Sequence, residues 1–190
     1  MRWAPWAGKE PPLRPWLVAE KDALERLSLF GLTVEEKARH AAIIEEEKRP
    51  KLGQDFKLGD FTYNVKGVTS DIAVGNGFAE KRASEGARFV VVEYTIVNES
   101  NATKTVLSND FRMVDEKGRE YRPSSEANTA LAMSGHSKDL GLAEVQPGIK
   151  KKMTTAFEMP EASTNGAVTL VIPEKGFLGT GSVRIKLSFK

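Results

Sequence analysis

The chain has no cysteine among its 190 residues and only two histidines. Without thiols there are no disulfides, no thiolate nucleophile and no cysteine-ligated zinc. The compartment stays open, because secreted β-sandwiches often lack cysteine too. An excess of charge is missing as well: 28 basic against 26 acidic side chains leave a net charge of +2. That supplies no global field for holding nucleic acid or an anionic membrane. Long apolar runs are absent. The uncharged stretch from Leu27 to Val34 falls far short of the roughly 20 residues of a membrane-spanning helix. The first ten residues carry Arg2, Trp3, Pro5, Trp6, Lys9 and Glu10 but no apolar stretch of the export-signal kind. Taken alone, that start reads as cytoplasmic.

What is present begins with an unusual arm. All three tryptophans, Trp3, Trp6 and Trp16, fall in the first 16 residues among several prolines. Proline lacks an amide donor and disfavours helix in the residue before it, so residues 1–16 read as extended. A tryptophan left in water forgoes at least about 1.5–3 kcal/mol of burial. The arm is therefore expected to fold back on its own domain or to dock on a partner. Residues 17–51 read as a helical hairpin. Leu17, Val18, Leu24, Leu27 and Phe30 have helical spacing, and Gly31 stands where a helix ends. Thr33-Val34-Glu35-Glu36 is a capping-box pattern opening a second helix, with Val34, Ala38, Ala41 and Ile44 on one stripe. Two helices of this size are not stable alone. Leu24, Leu27, Gly31, Leu32, Thr33, Glu35 and Glu36 weakly resemble a short helical-hairpin oligomerisation module of bacterial proteins; an ordinary capped helix pair is the simpler reading.

From Leu52 the pattern changes to period two. The run Gly86–Ser100 is crowded with β-branched and aromatic residues, with a glycine at one end and an Asn-Glu-Ser turn at the other, and predicts a central strand. Alternation puts Val90, Val92, Tyr94 and Ile96 on a wholly apolar core face. Phe89, Val91, Glu93, Thr95 and Val97 form a mixed, partly covered face. Further strands are predicted at Phe61–Val65, Thr105–Ser108, Phe111–Val114, Tyr121, Lys150–Met159, Val168–Ile172 and Val183–Phe189. Turns are expected at Asp115–Gly118 and Pro147-Gly148, and a loop over 75–86. Residues 123–146 are the least regular, with a possible helical turn at Ala127–Met133. Seven or more short strands so spaced predict an antiparallel sandwich over 52–190.

Several pieces in order carry a resemblance. They are Leu58–Val65, Gly86–Val92 leading to Asn98-Glu99-Ser100, the Lys117–Tyr121 hairpin, and Pro147-Gly148 before Phe157–Pro160. Residues from about 56 to 190 resemble a bacterial immunoglobulin-like domain family of unknown function, common in secreted proteins and lipoproteins and similar in fold to a mycobacterial immunoprotective antigen. The resemblance implies an immunoglobulin-like β-sandwich in an extracytoplasmic setting, and it implies no catalytic residues.

The residues offer little chemistry of their own. Ser134, His136, Ser137 and Asp139 crowd one short loop, whereas hydrolytic triads are assembled from distant segments. His40 stands on a charged helix. No metal or cofactor site is expected, and Gly75-Asn76-Gly77 reads as a turn. Asn98-Glu-Ser and Asn101-Ala-Thr match glycosylation sequons. Lys150, Lys151 and Lys152 with Arg184, Lys186 and Lys190 could make a basic strip, but no aromatics interleave to stack nucleic-acid bases. The expectation is a non-enzymatic interaction or structural module. It would bind a protein partner or its own copies through the N-terminal segment, with Trp3, Trp6, Trp16, Leu24, Leu27 and Phe30 as contacts. The alternative is a small-ligand-binding protein with a pocket at one end of the sandwich near 123–146.

Overall fold

The apolar run identified above is the longest strand, β5 (Ala87–Asn98), and it is paired along both edges. The computed structural model describes residues 33–39, 49–136, 141–174 and 181–189. The chain divides into two compact units, residues 1–48 and 49–190. In the second unit, β1 (Asp55–Leu58), β2 (Phe61–Asp71) and β10 (Lys150–Pro160) join β5 in an antiparallel sheet of order β1-β2-β5-β10. A second sheet runs β12-β11-β7-β8, from β7 (Arg112–Val114), β8 (Glu120–Tyr121), β11 (Val168–Pro173) and β12 (Ser182–Leu187). Two small ribbons complete it: β3 (Ala73–Val74) with β4 (Lys81–Arg82), and β6 (Lys104–Leu107) with β9 (Leu142–Val145). The architecture is the expected immunoglobulin-like sandwich.

The main core lies between the sheets. Val90, Val92, Tyr94 and Ile96 are at most 1% exposed, facing Met113, Leu170, Ile172 and Ile185. Met153, Thr155, Phe157 and Met159 of β10 are buried as well. The other face of β5 divides in two. Phe89 and Val91 are buried in a second core with Ala127, Ala130, Leu131 and Ala156, while Glu93 is exposed.

The cover over that second core is helix α1 (Ser125–Met133), longer than the single turn expected from the sequence. Ser124 caps it, accepting from the Ala127 amide at 3.3 Å. It ends at Gly135, whose φ of +77° is one that glycine adopts freely, and the His136 amide reaches back to the Leu131 carbonyl at 2.9 Å. The rest of 123–146 is likewise more regular than expected, because Leu142–Val145 pairs with β6.

The segment before α1 also closes a sheet edge. Among the described residues, strand β10 has no ladder partner on its outer side. There the Asn128 carboxamide acts as a length of strand. Its Oδ1 accepts from the Ala156 amide at 2.9 Å, and its Nδ2 lies 3.4 Å from the Ala156 carbonyl, which also accepts from the Ser124 amide at 2.8 Å. Asn128→Ala leaves the Ala156 amide buried without an acceptor. It is expected to cost about 1–3 kcal/mol in urea denaturation, against a few tenths for Thr129→Ala on the exposed side of the helix.

In the first unit, only residues 33–39 are described. Residues 34–39 are helical, and the predicted capping box is formed: the Glu36 amide donates to Thr33 Oγ1 at 3.2 Å and the Thr33 amide to Glu36 Oε2 at 2.8 Å. The Thr33 amide, with help from the Thr33 hydroxyl, holds the Glu36 carboxyl below the usual carboxylate range. Val34 is 85% exposed.

Candidate functional site

The residues expected to make partner contacts, Trp3, Trp6, Trp16, Leu24, Leu27 and Phe30, lie outside the described residues. So do His40, Ser137, Asp139 and Lys190. The sandwich carries chemistry of its own, and most of its polar groups are spent on holding the chain.

Asp115 is the clearest case. Its side chain is only 2% exposed, at the turn that the sequence places at Asp115–Gly118. One carboxylate oxygen accepts from the Lys117 and Arg119 amides at 3.0 and 2.9 Å. The other accepts from Arg119 Nε at 2.7 Å, Tyr121 Oη at 3.0 Å and Ser163 Oγ at 3.1 Å. Burial pushes this carboxyl up, but the bonds from Arg119, Tyr121 and Ser163 outweigh it and hold the group well below the usual carboxylate range. The cluster resembles a charge relay in composition only. The Ser163 hydroxyl is spent on Asp115 while accepting from Arg119 Nη2 at 2.8 Å, so nothing in it is poised to attack.

Asn98 is fully buried, and this decides the reading of its sequon. Nδ2 donates to the Ala102 and Val145 carbonyls at 2.7 and 2.8 Å, and Oδ1 accepts from the Ser100 amide and hydroxyl at 3.0 and 2.7 Å. A glycan cannot be attached to this nitrogen in the folded chain. Asn101 is exposed.

The other sequence candidates separate in space. Ser134 Oγ accepts from the Asn76 amide at 2.8 Å, tying the glycine turn to the end of α1, while His136 closes that helix and is exposed. Gly75 packs so closely there that a Cβ would come within 2.5 Å of the Ala79 carbonyl oxygen. The turn reading of Gly75-Asn76-Gly77 therefore holds. The proposed basic strip does not form as one surface. Lys150, Lys151 and Lys152 are on β10, beside β8, whereas Arg184 and Lys186 are on β12, at the far edge of the opposite sheet. Lys152 pairs with Glu93 at 3.0 Å. The two groups looked continuous in sequence patterning because alternation reports faces and not sheet order.

Besides a small concavity of about 80 Å³ at the Asp115 turn, lined by Glu116, Lys117, Ala162, Ser163 and Gly166, two others border the sandwich, and none of the three is lined by described residues of the 123–146 stretch. One, at the β1–β2 hairpin end, is lined by Leu58, Phe61, Tyr63, Val106, Phe111 and Pro173 and takes about 20 Å³, the space of a single water. Burial, assisted by neighbouring Tyr94, pushes the Tyr63 phenol well above its ordinary value. The other is an open groove of about 660 Å³ between β2 and the end of β12, lined by Leu52, residues 66–70, Arg88, Thr164, Asn165, Ser188 and Phe189. The sequence pattern missed this groove because it depends on where β1 stops pairing with β2.

The model of a family described as a domain of unknown function, DUF4352, matches residues 50–182. An uncharacterized protein of Bacillus subtilis (strain 168), YxkC, is 32% identical over 119 residues, which is 60% of this chain and 65% of that protein. The chain thus spans just under two thirds of that relative. Among solved structures, the yjhA protein from Bacillus subtilis is similar at a TM-score of 0.55 and 18% identity, covering 73% of this chain and 99% of its own. A secreted protein from Mycobacterium tuberculosis, MPT63, matches at a TM-score of 0.46 and 16% identity over 74% of this chain and 95% of its own.

Proposed function

The chain belongs to the DUF4352 family of domains of unknown function, and we propose that it is a non-enzymatic interaction or structural module. In this reading the sandwich is a stable platform, and the N-terminal arm and helices of residues 1–51 dock it into a larger assembly. The observation that carries the reading is the use of polar groups in the sandwich. Asp115, Asn98, Asn128 and Ser163 would be the raw material of a site, yet their bonds all go to turns, strands and caps of the same chain. The tryptophans supply the second support. All three fall within an arm of 16 residues, and aromatic anchors tend to dominate the energetics of protein interfaces. An extracytoplasmic setting is the one implied by the resemblance to secreted and lipoprotein domains. Among the described residues no helix is long and apolar enough to cross a membrane.

The test is deletion of residues 1–50, followed by thermal melting and analytical ultracentrifugation. The expected result is a folded, soluble sandwich that has lost its assembly with itself or its partner. Trp3→Ala combined with Trp6→Ala should reproduce most of that loss in the full chain. If the truncated chain unfolds, the arm belongs to the core of its own domain and the reading fails.

A further inference from the structure

The sandwich closes its sheet edges unevenly. The outer edge of β10 is covered by Ser124 and Asn128. The first half of β2 is covered by β1, through the pairs Asp55–Asn64 to Leu58–Phe61, and the Gly53 amide extends this cover to the Val65 carbonyl at 2.7 Å. Past that point, among the described residues, the cover stops. A β-bulge at Lys66 shifts the register against β5, and residues 67–71 go on pairing with β5 on one side only. A bare strand edge offers a row of amides and carbonyls to any chain that can lie beside it. Here that row forms one wall of the 660 Å³ groove.

We propose that residues 66–71 accept an extended acidic peptide segment of a protein partner as an added strand of this sheet. Charge selects the occupant. The ionisable residues lining the groove are Lys66 and Arg88, both cations; Asp71, at the end of the row, is exposed, and its Oδ1 accepts from the Ile72 amide at 2.7 Å. Lys66 is exposed and, among the described residues, makes no ion pair. Arg88 is half-buried and already oriented. Its Nε donates to Ser70 Oγ at 3.0 Å and its Nη2 to the Ser70 carbonyl at 3.3 Å, and its Nη1 is ion-paired with Glu161 at 3.4 Å. Backbone approach is also open. Gly67 has no side chain, and the space where one would stand is empty. Glycine inside a strand, next to a bulge, is typical of a place where a second backbone comes close. Val68 and Phe189 give the groove an apolar floor for the inward side chains of an alternating segment. A lone edge lysine also serves to discourage strand pairing. The two roles predict opposite results with an acidic strand, which carries the charge that relieves the lysine.

The experiment uses the full chain, ¹⁵N-labelled, titrated with acetyl-Val-Glu-Val-Glu-Val-amide and its Val-Lys counterpart. The expected result is saturable amide shifts clustered at 66–71 and 188–189 with the acidic peptide, weakened several-fold by Lys66→Glu and by raised salt, and absent with the basic peptide. N-methylation of alternate peptide amides tests the ladder: one of the two alternate sets should abolish the shifts and the other spare them. Equal behaviour of the two sets, equal binding of both peptides, or no shifts at 66–71 would overturn the proposal. So would a concentration-dependent dimer through 66–71 in the absence of peptide, which would make a second copy the occupant. These readouts concern residues 66–71 and 188–189, so failure here leaves the outcome of the N-terminal deletion unaffected, and the reverse also holds.

Discussion

Tyr94→Ala is expected to lower the free energy of unfolding by about 3–5 kcal/mol, the largest single-residue loss in the sandwich. The side chain is fully buried at the centre of β5. Its ring stands 5.5 Å from that of Phe111, a contact that reaches across to the second sheet, and its hydroxyl is 3.3 Å from Thr155 Oγ1 on β10. Truncation removes the apolar contact and leaves a cavity that strands paired on both sides cannot collapse to fill. The neighbouring residue supplies the control. Glu93 points to the opposite face, and its pairing with Lys152 is solvated, with both side chains about half exposed. Glu93→Ala should cost well under 1 kcal/mol. Urea denaturation of both variants decides the matter. If Glu93 were the costlier site, the faces of β5 would be reversed and the register against β2 and β10 would be one residue off.

That prediction depends on a feature that was plain in the sequence. Strict alternation at 90, 92, 94 and 96 assigns the main core to that face, because a strand has a period of two. The capping box at Thr33 and the turn at Asp115–Gly118 were equally legible, since both are set by residues three apart. The helix over 125–133 was less so. Its buried positions are Ala127, Asn128, Ala130 and Leu131, which make only a faint apolar stripe, and one of them is polar. What places that helix is Phe89 and Val91 on the other side of β5, which need a cover. Their burial could be guessed from the mixed face, but the covering segment could not be identified from it. The groove was hidden for a related reason. It exists because β1 stops pairing at Asn64, and strand ends are governed by turn geometry more than by side-chain pattern. Polar burial was the least visible of all. Asn98 looked like a sequon, and its role appears only once Val145, far along the chain, is brought beside it.

Asp115 is the point where a local signal and a distant one meet, and it should set the acid limit of this domain. Three of its five donors, the Lys117 amide, the Arg119 amide and Arg119 Nε, come from its own turn, with Tyr121 following on β8. The last, Ser163, comes from the short 3-10 turn after β10, so the carboxylate bolts the β7–β8 hairpin to the end of the other sheet. Its carboxyl is depressed in the folded chain, whereas an unfolded aspartate titrates near ~3.9. The unfolded state therefore takes up the proton first. The stabilisation is fully present above the unfolded value and is lost as the pH falls below about 4 toward the folded one. Asp115→Asn keeps the shape but not the charge. It should destabilise the domain at pH 7 and flatten the part of the acid limb that this carboxylate contributes, so that the gap between wild type and variant narrows steadily as the pH falls below about 4. Ser163→Ala removes the one donor to Asp115, among the described residues, that comes from outside the hairpin, and should reproduce a smaller share of the same effect. Thermal melts of the three proteins from pH 7 down to about 2.5 give the answer. Parallel curves, with the wild-type advantage undiminished in acid, would mean that the cluster stabilises by packing and that its charge contributes nothing.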